Sequence, residues 1–223
     1  PQTPQWKNLP EAEHFCMLLA KKCSISVAEF GLIPLKSGEF AYITKRMDRM
    51  KDNMLHMEDF CQILNKPTSL KYNGSMEQIG KALRKYSTVP GLDAIRFFEL
   101  AIFCFLTGNS DMHLKNFSIL QKENKMWELS PAYDLVPVQI ILPQDTEELA
   151  LTLNGKKRKL NRNDFESLGI SLKLNAIQIK KAIQRISNSL ENFLPETLEN
   201  SFLPNEKQCA IRNLIIERIN RIK

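Results

Sequence analysis

Between Leu92 and Thr107 the chain is apolar on nearly every side, with four phenylalanines and only Asp93, Arg96 and Glu99 as charges. A helix without a polar face cannot lie on a surface, so its neighbours must enclose it and the fold must be arranged around it. Arg96 and Glu99 interrupt the run, which falls short of the roughly 20 apolar residues of a membrane span. Directly after it comes the polar stretch Gly108 to Ile119, GNSDMHLKNFSI. Either this is an ordinary helix end with a solvated loop, or the buried helix is a platform that holds Asp111, His113 and Asn116 for chemistry.

The remaining elements group around that helix. Leu9 to Cys23 has helical spacing with Pro10 and Glu11 suited to a first turn. Ser26–Leu35 and Glu39–Arg46 are strand-like and joined by Lys36-Ser37-Gly38, which predicts a hairpin. Met57–Leu64 reads as a short helix stopped by Pro67. Ser75–Tyr86 reads as another, with Ser75 as N-cap and Gln78 placed for a capping box. Asn116–Gln121 and Lys125–Leu129 form a second hairpin around Lys122-Glu123-Asn124. The alternating Leu149–Leu153, followed by Asn154-Gly155, reads as a strand entering a tight turn. From Asn163 the chain is amphipathic helix, including Asn175–Leu194 and Asn205–Ile222.

At 223 residues, 43% hydrophobic and 25% charged, the chain suits one sizeable core or two small lobes. It opens at Pro1 with no secretory signal, which reads as a fragment or a processed piece. The five cysteines are odd in number, lack C-x-x-C spacing and read as reduced, mostly buried thiols of a cytoplasmic protein. The net charge of +6 has one dense source, Lys156-Lys157-Arg158-Lys159, which is either a solvated loop or a contact for an anionic partner.

Phosphoryl transfer asks a protein for a carboxylate to take the hydroxyl proton, hard oxygen ligands for Mg²⁺ and a cationic setting for phosphates. Protein kinases place the base Asp and a metal-binding Asn five residues apart, with a second metal-binding Asp beyond a hairpin. Asp111 and Asn116 are five apart, and Asp134 in Pro131-Ala132-Tyr133-Asp134-Leu135 stands eighteen further on. The spacing alone occurs by chance. The order of buried helix, Asp-x-His-x-Lys-Asn, strand, turn, strand and Asp brings Asn116 and Asp134 to the two open ends of one hairpin, where their side chains can meet a single metal.

GNSDMHLKNFS followed by PAYDL resembles the signature of the HipA family, the serine/threonine kinase toxins of bacterial toxin–antitoxin pairs. Glu13 to Ala20, Lys45-Arg46-Met47-Asp48-Arg49, and Glu58 to Gln62 with Lys71-Tyr72 resemble the family's first helix, its hinge and the stretch beyond it. The resemblance implies a mainly α (α+β) fold: a protein-kinase-like C-lobe of the HipA type with small β-hairpins at the hinge and the metal site. Residues 1–50 would complete a nucleotide-binding lobe and 51–223 would form the helical catalytic lobe. It implies Asp111 as catalytic base, Asn116 and Asp134 as Mg²⁺ ligands, His113 near the phosphates, Asp48 on the ribose, and the backbone from Lys45 to Met47 on the adenine edge of ATP. Lys115 either balances phosphate charge or neutralises Asp111. Glu13 is either the helix carboxylate that pairs with a phosphate-gripping lysine or part of a solvated face.

The family's hinge usually has Glu and Phe where this chain has Lys45 and Met47, an exchange that backbone contacts survive. Its glycine-rich loop and phosphate-gripping lysine precede the region matched here, and no G-x-G-x-x-G or P-loop occurs in the 223 residues. The expected partners are a protein substrate, such as the aminoacyl-tRNA synthetases modified by family members, and an antitoxin of HipB type. DNA would be met only through the antitoxin, and no membrane partner is expected. Two other classes stay open: a non-catalytic module that docks an antitoxin or substrate, and a nucleic-acid-binding domain using Lys156 to Lys159.

Overall fold

The computed structural model describes residues 6–51 and 53–223. In chain order the elements are α1 (Leu9–Lys22), β1 (Phe30–Pro34), β2 (Phe40–Thr44), β3 (Met57–Asp59), α2 (Phe60–Ile63), α3 (Met76–Tyr86), α4 (Pro90–Leu106), β4 (Ser118–Gln121), β5 (Trp127–Leu129), α5 (Val138–Ile141), α6 (Arg162–Ser171), α7 (Ala176–Glu199) and α8 (Asn205–Ile222). The fold is mainly helical α+β, as expected. One sheet is the antiparallel pair β1–β2, with Phe30 opposite Thr44; the other has the order β3–β4–β5, with Ile119 opposite Leu129.

Helix α4 is the axis of the core. It touches α3, α6, α7, α8 and β5, and Phe97, Phe98, Phe103 and Phe105 are all fully buried. Each such side chain contributes about 1.5–3 kcal/mol by leaving water, which is why a helix this apolar draws the others around it. Its start is fixed by buried Asp93, which accepts hydrogen bonds from the Ser87 hydroxyl (2.6 Å) and the Leu129 amide (2.7 Å) and so ties α4 to β5. Its end is a Schellman turn: Gly108 has φ +75° and donates to Phe105 O, and Asn109 donates to Cys104 O.

Four expectations need correction. Met57–Asp59 is a strand, not the first turn of a helix, because its backbone pairs with β4 (Met57 opposite Leu120). The helix α2 begins only at Phe60, where Asp59 and Gln62 exchange the two bonds of a capping box. Leu149–Leu153 forms no strand. Leu149, Ala150, Leu151 and Leu153 are all fully buried, so the alternation marks an irregular segment packed on both faces, with Thr152 bridging to Ser75. The tight turn after it does form, with Asn154 and Gly155 both at positive φ. Helix α7 runs through Pro195 to Glu199 instead of stopping at Leu194, because buried Leu194, Thr197 and Leu198 hold the last turn against the core. Ser75 caps α3 by accepting from the Gln78 amide, without the reciprocal bond of a box. Four of the five cysteines are buried and free, and Cys209 is exposed.

Candidate active site

The polar segment after α4 is not solvated. Asn109, Ser110, His113 and Asn116 are buried, with Met112 and Leu114 fully enclosed between them. Apolar anchors at every second or third position pull the loop down onto the core, and several of its polar groups find partners there. The Asn109 side chain accepts from the Asp111 amide (3.2 Å), the His113 amide donates to Asp111 O (2.8 Å), and the Ser110 hydroxyl donates to Asp145 (2.5 Å). The segment is therefore held against the core and is not a solvated loop.

The loop, through a short 3-10 turn at Leu114–Asn116, delivers Asn116 to the start of β4. Beyond β5 the chain returns to place Asp134 opposite it. Asn116 Nδ2 donates to Asp134 Oδ2 at 2.7 Å and to Asp111 O at 3.2 Å. The hairpin geometry expected from spacing is therefore formed. Asp134 has φ +57°, a conformation that costs a non-glycine residue energy and is retained where surroundings over-determine it. Its neighbour supplies that constraint: the Tyr133 phenol donates to Lys115 O (2.7 Å) and accepts from the Ser118 hydroxyl (2.6 Å), clamping the two ends of the hairpin.

A cavity of about 620 Å³ is lined by Glu13, Phe40, Tyr42, Asp111 and Asp134. Like charges and low exposure shape its electrostatics. Burial, and then the nearby Asp134, push the Glu13 carboxyl up to about 8. Burial and then Asp111 push Asp134 up against the opposing hydrogen bond from Asn116. A site that holds carboxylates this reluctantly is built to receive positive charge. Asn116 turns its amide nitrogen to Asp111 and Asp134, leaving Oδ1 outside these bonds. With the Asp134 carboxylate that makes a pair of hard oxygen donors, a set that fits Mg²⁺, which keeps waters and takes phosphate oxygens besides one or two protein ligands. Among the described residues no three His, Cys, Asp or Glu side chains form a metal cluster.

A second cavity, of about 320 Å³, is lined by Lys45, Met47, Asp48, Asp59, Lys115 and Tyr133, the residue before Asp134 of the first cavity. The hinge residues and the loop thus face one another across it. Asp48 is held by both arms of Arg46 (2.7 and 3.0 Å), whose hydrogen bonds keep its carboxyl below the usual range. Lys45 is exposed, with its ammonium on Glu29 (2.8 Å). Lys115 does not neutralise Asp111; it pairs with Asp59 at 2.7 Å, on the hinge side of the loop. His113 is turned inward, its ring edge-on to Tyr72 at 5.1 Å and Nδ1 buried without a hydrogen bond, and burial lowers its pKa. A third cavity, near Ser26, Arg96 and Glu128, contains none of the expected site residues.

Sequence reasoning missed three partners of the loop. Asp59, signalled only by the Asp-x-x-Gln spacing of its capping box, holds Lys115. Tyr72, 39 residues upstream, donates its phenol to Asp111 Oδ1 at 2.5 Å. From α8, buried Arg218 donates to Phe105 O and to the Gln139 side chain, while the Gln139 amide donates to Gly108 O (3.2 Å). The basic cluster is partly neutralised: Lys156 pairs with Asp164 (2.8 Å) and Lys157 with Glu147 (3.0 Å). Among the described residues no helix is long and apolar enough to cross a membrane.

Comparison with known proteins bears on the family and the fold. The model of the family described as HipA-like C-terminal domain matches residues 1–193. The protein named putative kinase Y4dM of Sinorhizobium fredii is 30% identical over 202 residues, covering 85% of this chain and 48% of its own length. One named putative kinase from Haemophilus influenzae is 27% identical over 255 residues, covering 97% of this chain and 74% of its own. Among solved structures, a chain in the complex of Shewanella oneidensis HipA, HipB and operator DNA superposes with TM-score 0.82 at 21% identity, over 97% of this chain and 56% of that one. The Helicobacter pylori proinflammatory kinase CtkA superposes with TM-score 0.69 at 18% identity, over 99% of this chain and 82% of that one. The fold is therefore kinase-like, and the chain spans about half the length of the first curated relatives it matches.

Proposed function

The chain belongs to the HipA-like C-terminal domain family, and from that premise we propose that the protein carrying it is an ATP- and Mg²⁺-dependent kinase of protein serine or threonine hydroxyls. The observation that carries the proposal is the meeting of Asp111, Asn116 and Asp134, three residues from two separate segments, through the two hydrogen bonds of the Asn116 amide. Asp111 accepts the proton of the acceptor hydroxyl as its oxygen attacks the γ-phosphorus and the bond to ADP breaks. Asn116 Oδ1 and the Asp134 carboxylate would hold Mg²⁺, which when bound offsets the charge on the transferred phosphoryl group. The hinge cavity takes the nucleoside, with the backbone from Lys45 to Met47 on the adenine and Asp48, released in part from Arg46, on the ribose. In this reading Lys115, at the edge of the hinge cavity, reaches the phosphates by exchanging Asp59 for a phosphate oxygen, and His113 lies behind it in the loop.

Residues 1–50 belong with the nucleotide-binding lobe and 51–223 with the catalytic lobe in this reading. The substrate class is a protein hydroxyl, with a translation component such as an aminoacyl-tRNA synthetase as the family's example. The likeness to a chain solved with HipB and operator DNA supports an antitoxin partner of that type, with DNA reached through it; the compartment this reading implies is the cytoplasm. The test is Asp111→Ala in the full-length protein. Loss of a general base lowers transfer from Mg-ATP by about 10²- to 10⁴-fold with the unfolding midpoint unchanged. Near-normal transfer by that variant overturns the assignment. Calorimetry with Mg-ATP gives a second reading: Asp134→Ala weakens binding in the presence of Mg²⁺ and not in its absence.

A further inference from the structure

The loop leaves one requirement unmet by its own residues. A carboxylate that serves as a base must hold one oxygen toward the incoming hydroxyl, yet an aspartate on a loop rotates freely about its last bond unless something fixes it. Asn116 does not do so, because it bonds the Asp111 backbone carbonyl and not the carboxylate. Among the described residues the hydrogen bond to the Asp111 side chain comes from Tyr72, whose phenol donates to Oδ1 at 2.5 Å. Charge-assisted bonds of this length are the strong ones.

Tyr72 is itself held on several sides. Its ring packs edge-on against His113, with centroids 5.1 Å apart and planes at 82°, and the Lys71 ammonium lies 5.0 Å from the ring centre. The backbone on either side is fastened to the same loop. Lys71 O accepts from the Leu114 amide at 3.1 Å, and Gly74 lies so close to Leu114 that a Cβ there would stand 2.9 Å from its side chain. Burial, and then the bond to Asp111, push the phenol far above its ordinary value, so it remains a donor at neutral pH.

We infer that Tyr72 is a positioning residue for the Asp111 base: it occupies Oδ1, fixes the plane of the carboxylate and leaves Oδ2 to face the acceptor hydroxyl. The inference rests on the kinase reading above and adds to it a group from outside the signature loop. The proton of Tyr72 stays on the phenol throughout. The acceptor proton goes to Oδ2, so no further reactant is required.

The experiment compares full-length wild type, Tyr72→Phe, Tyr72→Leu and Asp111→Ala, with Mg-ATP turnover read as ADP release and thermal unfolding as the control for folding. Tyr72 is 41% exposed, so loss of one hydroxyl leaves the core untouched. The expected result is a kcat lowered about tenfold to a hundredfold in both Tyr72 variants, with the KM for Mg-ATP and the unfolding midpoint of Tyr72→Phe unchanged. Wild-type kcat in Tyr72→Phe with a loss only in Tyr72→Leu assigns the ring a packing role and overturns the inference. Faster turnover in Tyr72→Phe also overturns it, since the phenol would then be obstructing the base. Equal turnover in wild type and Asp111→Ala, or none in the wild type, defeats the kinase reading and with it this inference.

Discussion

Replacing Glu13 by glutamine changes the pH dependence of stability in a direction fixed by the site. Burial and the neighbouring Asp134 raise the carboxyl from 4.5 to about 8, so at neutral pH the folded protein keeps a proton that the unfolded chain has released. With a folded-state pKa above the unfolded one, stability is greatest below pH 4.5, falls as pH rises through the interval from 4.5 to 8, and levels off above it. At pH 7, which lies about 2.5 in pH above the unfolded value of 4.5, this corresponds to about 3 kcal/mol, and solvent at the partly exposed side chain reduces it to roughly 1.5–3 kcal/mol. Glutamine keeps the shape without the titration. Glu13→Gln and wild type should therefore unfold at similar temperatures near pH 4.5, while at pH 7 the variant unfolds about 3–12 °C higher. Circular dichroism melts from pH 4.5 to 8.5 decide it. Parallel curves for the two proteins would refute the claim that the site crowds its carboxylates.

Two further substitutions probe the support of the loop. Gly108→Ala imposes a left-handed φ of +75° on a residue with a Cβ and places that atom 2.6 Å from Leu214 on α8, so urea unfolding should show a loss of about 2–3 kcal/mol; an unchanged midpoint would contradict the Schellman account. Arg218→Met removes a desolvated guanidinium, pushed down to about 10 chiefly by burial, together with its bonds to Phe105 O and Gln139. Those effects oppose one another, so global stability should stay within about 1 kcal/mol, while hydrogen exchange at the amides of Gly108 to Asp111 speeds up about tenfold. Exchange that matches wild type would show that α8 does not hold the loop.

What the chain discloses before folding depends on how local the cause is. Helix α4 announces itself because every face is apolar, and the Asn116–Asp134 contact is legible because a hairpin necessarily brings its two ends together. The three residues of β3 carry no such signal, since their partner lies some sixty positions away in β4. Leu149–Leu153 alternates like a strand, but the alternation misleads because the surrounding core buries both faces. Lys115 is expected to balance phosphate charge or to neutralise Asp111, and pairs instead with Asp59, which only the folded chain brings within reach. Tyr72 and Arg218 are ordinary members of polar or amphipathic stretches; their roles come from contacts across 39 and 113 positions.

The Arg218 contact has a consequence for the order of synthesis. The carbonyl it grips belongs to the last turn of α4, and the loop that bears Asp111 starts three residues after that carbonyl's residue, Phe105. Every residue with chemical potential at this site is therefore made well before the side chain that secures its platform. A ribosome-bound chain ending short of α8 would carry the whole signature and hold it loosely, because the contact spanning 113 residues closes only when α8 arrives. Competence of the loop is thus tied to completion of the chain through α8.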